Sequence, residues 1–286
     1  MPVPVIIVGN ITAGGTGKTP LVLWLCDFLR GQGYAPGIVS RGYGGRGRTM
    51  AVNKNSTPDT AGDEPVLLAQ RSRCPVWIGR DRVAAVRALL AANPGCNVIV
   101  SDDGLQHYRL KRDIEIALID GQRGTGNGLP LPAGPLREST GRLSAVDAVV
   151  VTGHSASPAA NARTFAMALE GREFRNLRNP ALHQDAGAFH GKCVHAIAGI
   201  GNPARFFDHL QRLGLNFTTH AFPDHHAYTQ ADLEFGNADA IIMTEKDAIK
   251  CLPFAREDHW LLPVVASVDM ALGRLILEKM KTRHGS

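Results

Sequence analysis

Short apolar runs alternate with stretches of helical periodicity through the first half of the chain. Val5-Ile6-Ile7-Val8 is an unbroken β-branched run, the pattern of a strand buried on both faces. The polar, glycine-rich stretch Gly9-Asn10-Ile11-Thr12-Ala13-Gly14-Gly15-Thr16-Gly17-Lys18-Thr19-Pro20 follows. Leu21, Val22, Trp24, Leu25, Phe28 and Leu29 then recur at helical spacing, and Gly31 and Gly33 stop the helix. The alternation repeats. Pro36-Gly37-Ile38-Val39-Ser40 is a short strand, and a helix opens at Gly62-Asp63-Glu64-Pro65, with Asp63 suited to its N-cap and Pro65 to its first turn. Val76-Trp77-Ile78 is a strand, Asp81 caps a helix with Val83, Val86, Leu89 and Leu90 on one face, and strands are expected over residues 97–101, 114–120 and 145–151.

From residue 153 to 190 the pattern weakens. This stretch reads as a linker or hinge with room for a β-hairpin. A second unit begins with a strand over 193–200 that meets Gly201-Asn202-Pro203, a helix start with Asn202 as cap. Phe206, Phe207, Leu210 and Leu213 follow at helical spacing, stopped by Gly214. The unit continues with the loop Phe222-Pro223-Asp224-His225-His226 and a short helix capped by Thr229. A strand over 240–243 leads to Thr244-Glu245-Lys246-Asp247, and a strand over 261–266 and a helix over 270–281 close the chain. The expected fold is therefore α/β: a mostly parallel sheet with helices on both faces over residues 1–152, a hinge over 153–190, and a smaller C-terminal α/β domain over 191–286.

At 286 residues the chain is long enough for one or two packed cores, and 44% apolar with 20% charged residues is ordinary for a globular protein. The net charge of +5 suits an anionic partner such as a nucleotide, a phosphorylated substrate or an acidic membrane face. The basic residues are scattered without interleaved aromatics, so nucleic acid is not expected. Five widely spaced cysteines without a C-x-x-C pair read as reduced thiols of a cytosolic protein. No apolar run reaches the length of a membrane span, and the glycine-rich stretch begins too near Met1 for a signal peptide.

The strand, the glycines, Gly17-Lys18-Thr19 and the helix stand in the order that a phosphate-cradling loop requires. Glycines let successive backbone amides face one anion, the helix N-terminus adds its dipole, Lys18 reaches the outer phosphates, and Thr19 places its hydroxyl on Mg²⁺. Thr12 stands where the strict G-x-x-x-x-G-K-[ST] pattern has glycine. The second signal is Val98-Ile99-Val100-Ser101-Asp102-Asp103-Gly104, an apolar strand ending in two carboxylates. In phosphoryl-transfer proteins a strand-end carboxylate holds Mg²⁺ beside the loop threonine, and two adjacent aspartates repel without a cation. Arg41 and Tyr43 lie in the glycine- and arginine-rich loop 41–48, directly after a strand end, where open α/β sheets bind ligands. The proline-rich loop 126–138 carries Asn127 and Arg137, and long loops after strands commonly hold ligands. His107 reads either as a ligand contact or as an ordinary loop residue. On spacing alone Asp63 needs no role beyond capping, and His225-His226 lacks the third ligand of a metal site.

With these residues laid out, the chain resembles the tetraacyldisaccharide 4′-kinase family, which phosphorylates the lipid A precursor of Gram-negative bacteria. Eight ordered blocks carry the resemblance: Gly9-Asn10 to Pro20, residues 40–45, 62–65, 102–107, 131–138, 199–203, 222–225 and 244–247. Thr12 belongs to that family's own form of the loop. The resemblance implies a P-loop NTPase-like fold with ATP and Mg²⁺ as cofactors, the donor cradled by Thr12, Ala13, Gly14, Gly15, Thr16, Gly17, Lys18 and Thr19. It implies metal ligation by Thr19, Asp102 and Asp103. The acceptor is the 4′-hydroxyl of an acylated disaccharide 1-phosphate, with Arg41, Tyr43, Asn127, Arg137 and His107 as its candidate contacts. The catalytic base falls on Asp63, with His225 supporting it and Lys18 on the phosphates. Asp63 and His225 lie on opposite sides of the expected hinge, so domain closure is expected to assemble them. Similar kinases carry an apolar segment ahead of the phosphate-loop strand that this sequence lacks. A monomer bound weakly and peripherally to the cytoplasmic face of the inner membrane is expected. The competing reading is a nucleotide-switch, GTPase-like protein acting on a client, but Thr244-Glu245-Lys246-Asp247 has the wrong lysine–aspartate spacing for guanine recognition.

Overall fold

The protein, known from a computed structural model, is described over residues 1–45, 48–153 and 163–284. Arg46 and Gly47 of the basic loop and residues 154–162 of the weakly patterned stretch lie outside the described residues. The chain forms two compact units, Met1–Leu169 with Ala266–Ser286, and Glu170–Val265.

The first unit is built on the β-branched runs. β1 (Val5–Gly9), β2 (Pro36–Ser40), β4 (Val76–Ile78), β5 (Val98–Asp102), β6 (Ile114–Asp120), β7 (Ala148–Thr152) and β8 (Thr164–Glu170) pair in parallel with their neighbours. β3 (Met50–Val52) closes one edge antiparallel to β4, and β15 (Val265–Val268) lies beside β8 at the other. The order among the described residues is β15-β8-β7-β6-β1-β5-β2-β4-β3. β1 thus sits in the middle, with the aspartate-tipped β5 on one side and β6 on the other.

The parallel strands β1, β2, β5 and β7 are buried on both faces, which is why they read as continuous apolar runs, whereas β8 is mostly exposed or half-buried. Val5, Ile7, Val39 and Ile99 form one cluster with Ala85, Val86 and Leu89 of α4 (Arg82–Ala92). The alternate residues Ile6, Val8, Ile38 and Val100 are equally buried and serve the opposite face. α1 (Lys18–Gly31) buries Leu21, Val22, Leu25, Cys26 and Leu29, while Trp24 and Phe28 stack on each other at 5.3 Å. Gly273 of α7 (Met270–His284) lies so close to the Phe28 ring that a β-carbon there would collide with it.

The second unit has a six-stranded sheet among the described residues, in the order β10-β9-β14-β13-β11-β12. β11 (Val194–Ala198), β12 (Thr218–Ala221), β13 (Ala240–Thr244) and β14 (His259–Leu262) run parallel, and the hairpin of β9 (Phe174–Asn176) and β10 (His183–Gln184) adds antiparallel to β14. α5 (Pro203–Arg212) packs Phe206 and Leu210 on one face beside Phe174, Phe189 and Trp260. The opposite face gathers Ile197, Ile241, Met243, Tyr228 and Leu233.

The observed division differs from the one read in the sequence. Residues 164–169 belong to the first sheet, and residues 170–190 belong to the second unit, where they supply the expected hairpin. The stretch read as a last strand over 261–266 is two strands in different sheets, because Pro263 interrupts the run. The terminal helix belongs with the first unit. The short helix after His226 is a 3₁₀ turn, Ala231–Leu233, and Thr229 donates to Asp232 instead of capping it.

Phe174 is fully buried, with its ring against Phe189 at 4.9 Å. Phe174→Ala is expected to destabilise the protein by about 3–5 kcal/mol, read as a lowered urea midpoint.

Candidate active site

The phosphate loop is the turn between β1 and α1. Gly14 and Gly17 adopt left-handed φ values of 95° and 97°, and Gly17 is the N-cap of α1. That conformation favours glycine and turns backbone amides toward the helix N-terminus. Asn10 is fully buried at the loop's entrance, and its amide nitrogen donates to the Thr12 carbonyl at 2.5 Å. The loop is clamped from outside by the proline-rich segment: the amide of Ala13 donates to the Pro135 carbonyl at 2.7 Å, and that of Arg137 to the Ile11 carbonyl at 2.6 Å. Thr12, in the position of the expected glycine, is buried and forms a β-bridge with Leu136. Its side chain suits this form of the loop because here the backbone is paired as an edge. On the β6 side a cavity of about 250 Å³ is lined by Thr12, Thr16, Asp120, Arg123, Gly126 and Pro135.

Lys18 Nζ donates to Asn10 Oδ1 at 3.0 Å and pairs with Asp103 Oδ1 at 3.5 Å. Asp103 also receives Arg137 Nη1 on both oxygens, at 3.1 and 3.0 Å. Burial pushes the Asp103 carboxyl up, but the Lys18 ammonium and the Arg137 guanidinium outweigh burial and hold it below the ordinary carboxylate value. Its neighbour Asp102 behaves oppositely. It is completely buried, and burial followed by the charges of Glu64 and Asp103 pushes its carboxyl up to about 7. Ser40 Oγ donates to Asp102 Oδ2 at 3.0 Å, while Asp102 Oδ1 has no hydrogen-bond partner. Adjacent aspartates diverge because Asp102 ends β5 facing inward, whereas Asp103 turns outward in a left-handed backbone with φ 49°.

These groups fit a magnesium-bound triphosphate. Asp102 Oδ1 is an orphaned buried acceptor, the kind of atom a hard cation satisfies. Among the described residues no group of three or more His, Cys, Asp or Glu is arranged to hold a metal ion by itself. Mg²⁺ in phosphoryl-transfer sites uses one or two carboxylates, a hydroxyl, phosphate oxygens and water. Thr19, second residue of α1, Asp102 and Asp103 are the residues that would hold it.

Asp63 stands apart from these groups in sequence but also opens a helix. Gly62, with φ 87°, is the N-cap of α3 (Asp63–Arg71), so Asp63 is its first helical residue, not the cap itself. Asp63 is buried, and its Oδ1 accepts the Glu64 amide at 3.0 Å. Both the amide and the helix dipole favour a charged carboxylate at that place. A β-carbon at Gly62 would overlap the Tyr43 carbonyl, and one at Gly45 would overlap Thr60. The loop after β2 is therefore seated on the corner that presents Asp63. The Arg41 and Tyr43 side chains are exposed, Tyr43 at 65%.

Other candidates divide. His107 is half-buried, and burial and the Arg82 charge hold its imidazole below the ordinary value. Asn127 donates to Ala133 O at 2.9 Å and accepts from Leu129 N at 3.1 Å, so its amide shapes its own loop. In the second unit, Lys246 Nζ donates to Asp224 Oδ1 at 3.1 Å and lies 3.5 Å from His225 Nε2, and His225 takes a left-handed φ of 61°. The Thr-Glu-Lys-Asp block forms the turn into α6 (Glu245–Cys251), capped by Thr244 through Asp247 N at 3.2 Å. Sequence reasoning passed over Ser40, which braces Asp102, and Arg82, a buried guanidinium that donates to Gly79 O at 2.9 Å and reaches the Asp102 and Asp103 carbonyls at 3.5 Å. Ser40 ends a strand that pairs with β5; that adjacency, and its place in the block 40–45, are the signals that could have found it.

A family model described as tetraacyldisaccharide-1-P 4′-kinase matches residues 1–281. The tetraacyldisaccharide 4′-kinase of Methylobacillus flagellatus is 54% identical over 279 residues, 97% of this chain and 82% of the relative. That of an Azoarcus species is 50% identical over 288 residues, 100% and 84%. Among solved structures, LpxK from Aquifex aeolicus, determined in complex with ATP, superposes with a TM-score of 0.81 at 30% identity, covering 98% of this chain and 89% of that one.

The buried Asp102 charge should weigh on stability when no cation is present. Its folded carboxyl titrates above the unfolded one, so its contribution is intact at low pH and declines as pH rises to about 7. In a chelator, Asp102→Asn is expected to raise stability at pH 8 by about 2 kcal/mol, with the gain shrinking as pH falls through the range between the two values and vanishing only at about pH 4. Thermal unfolding at both pH values measures this.

Proposed function

The chain belongs to the tetraacyldisaccharide-1-P 4′-kinase family, and from that membership and the loop geometry we propose how its residues divide the work. It is an ATP-dependent kinase that transfers phosphate to the 4′-hydroxyl of a tetraacyldisaccharide 1-phosphate in lipid A biosynthesis. The observation that carries the division of roles is the convergence of Lys18 on Asp103 beside the partnerless Asp102 oxygen, at the strand ends flanking the glycine loop.

The donor lies on the loop from Thr12 to Thr19, with its outer phosphates on the α1 N-terminus and on Lys18. Thr19, Asp102 and Asp103 are the residues that would hold magnesium, which would supply charge neutralisation across the phosphates. Lys18 and Arg137, which occupy Asp103 without nucleotide, are then free to meet phosphate oxygens. Asp63 acts as the general base toward the acceptor hydroxyl. Its burial and its place at the start of α3 support this role, because a carboxylate there is ionised but poorly solvated. The family resemblance is what assigns His225 the support of the base. Arg41, Tyr43 and His107 contact the acceptor, whereas Asn127 serves by shaping the loop that carries Arg137.

The acceptor carries acyl chains, so the enzyme works at a membrane surface, and we place it peripherally on the cytoplasmic face of the inner membrane. Among the described residues no helix is long and apolar enough to cross a bilayer. Support comes from the strand-end loops of the first unit, where Tyr43, Leu129 and Leu131 are exposed beside the exposed cations Arg41 and Arg123. Apolar tips among cations suit an anionic lipid surface.

Asp63→Asn is expected to lower kcat for phosphoryl transfer by about 10²–10⁴-fold while ATP affinity stays within about threefold of wild type. Normal turnover of the lipid by this variant would remove Asp63 as the base. His225→Ala is expected to lower kcat with the KM for ATP unchanged; a raised KM for ATP with normal kcat contradicts its assignment.

A further inference from the structure

Asn10 has no role in the scheme above, yet its side chain is the most fully engaged in the phosphate loop. It follows the last residue of β1 and is completely buried. A buried amide demands partners, and each end finds them in a different part of the site. Nδ2 donates to the Thr12 carbonyl at 2.5 Å and lies 3.5 Å from the Gly14 carbonyl. Oδ1 accepts from Lys18 Nζ at 3.0 Å. The backbone carbonyl of Asn10 accepts from Gln106 Nε2 at 3.1 Å, and Gln106 Nε2 is also 3.1 Å from Glu138 Oε2. One residue thereby ties two carbonyls of the loop, its lysine and the segment after Asp103 together.

The chemistry of the loop explains why such a residue is needed. A triphosphate requires amides, not carbonyls, to point into the cradle. Each carbonyl turned inward would repel the phosphate oxygens, so it needs a donor that pins it elsewhere. Thr12 and Gly14 are the loop residues whose carbonyls Nδ2 meets. The lysine poses a second problem. Left with Asp103 alone, its ammonium would be drawn to a full carboxylate and away from the incoming phosphates. A neutral amide oxygen at 3.0 Å, nearer than Asp103 Oδ1 at 3.5 Å, holds it without a competing charge.

We propose that Asn10 is a positioning residue of the kinase reaction: its Nδ2 fixes the phosphate loop with the Thr12 and Gly14 carbonyls turned from the donor, and its Oδ1 holds Lys18 in readiness for the outer phosphates. The proposal rests on the reading that Lys18 binds the donor phosphates. Asn10 touches no reacting atom and acts through the loop and the lysine.

The test uses the full chain and three variants. Asn10→Ala is expected to raise the KM for ATP at least tenfold while the KM for the lipid acceptor stays within twofold. Asn10→Asp keeps an acceptor for Lys18 but loses the donor and adds a charge, so it is expected to impair ATP binding as much as the alanine variant. In the nucleotide-free enzyme, Lys18 modification by an amine-reactive reagent, read by mass spectrometry, is expected to accelerate in Asn10→Ala. A lowered melting temperature with KM for ATP within twofold of wild type would mean a purely structural asparagine and overturn the proposal. Normal ATP binding by Asn10→Asp, or unchanged Lys18 labelling in Asn10→Ala, overturns the donor or the acceptor half. Lys18→Ala separates the two readings: if it binds ATP normally, the donor-site reading itself fails, whatever Asn10 does.

Discussion

A buried carboxylate whose charge nearby cations only partly offset is the constraint around which the first unit is built. Asp102 ends a central parallel strand with one oxygen on Ser40 and the other without a partner. Burial of that kind is costly unless the charge is matched. Lys18 and Arg82 offset it only in part, and burial still wins. The protein neutralises the neighbouring Asp103 with Lys18 and Arg137 and leaves Asp102 with its carboxyl raised to about 7. The site is thus poised for a cation, and the same lysine that quenches Asp103 is the group a triphosphate would claim. In the proposed scheme the donor and metal sites would be coupled, because they share a counter-ion.

The surrounding structure serves to hold those charges in register. β1 lies between β5 and β6, so the glycine loop and the aspartates emerge side by side. The proline-rich loop returns to clamp the glycine loop through Ala13 and Arg137, and its Arg137 side chain reaches Asp103. The loop after β2 rests on Gly62 at the corner that presents Asp63. Three loops from different strand ends therefore share backbone contacts with donor, metal and base groups. A change in any of them alters geometry at the others.

Much of this was legible in the sequence because it was local. Continuous β-branched runs gave away the doubly buried strands, and glycines followed by Lys18 and Thr19 gave away the loop. The paired aspartates at the end of β5 were equally plain, and the metal proposed there rests on them. What failed to show was non-local. Ser40 reaches Asp102 across 62 residues, and Arg82 reaches the Asp103 carbonyl across 21; neither residue type is distinctive by itself. β12 escaped notice because it is an edge strand, Thr-Thr-His-Ala, mostly exposed and without an apolar face. The return of β15 to the first sheet had no sequence signal at all, since sheet membership is decided by pairing partners far along the chain. Asp63 illustrates a different gap. Its place at a helix start was readable, but that place alone asks no more of a carboxylate than to meet the helix dipole, and only the family resemblance pointed to the proposed catalytic role.

The central claim is the identity of the bond made. Wild-type protein incubated with magnesium, ATP and a tetraacylated glucosamine disaccharide 1-phosphate should yield a bisphosphorylated lipid and ADP. Locating the new phosphate on the product by phosphorus and proton NMR measures the claim directly. The account predicts one new phosphomonoester at the 4′ position. Absence of transfer, or a phosphate on any other hydroxyl or on the existing 1-phosphate, would contradict it.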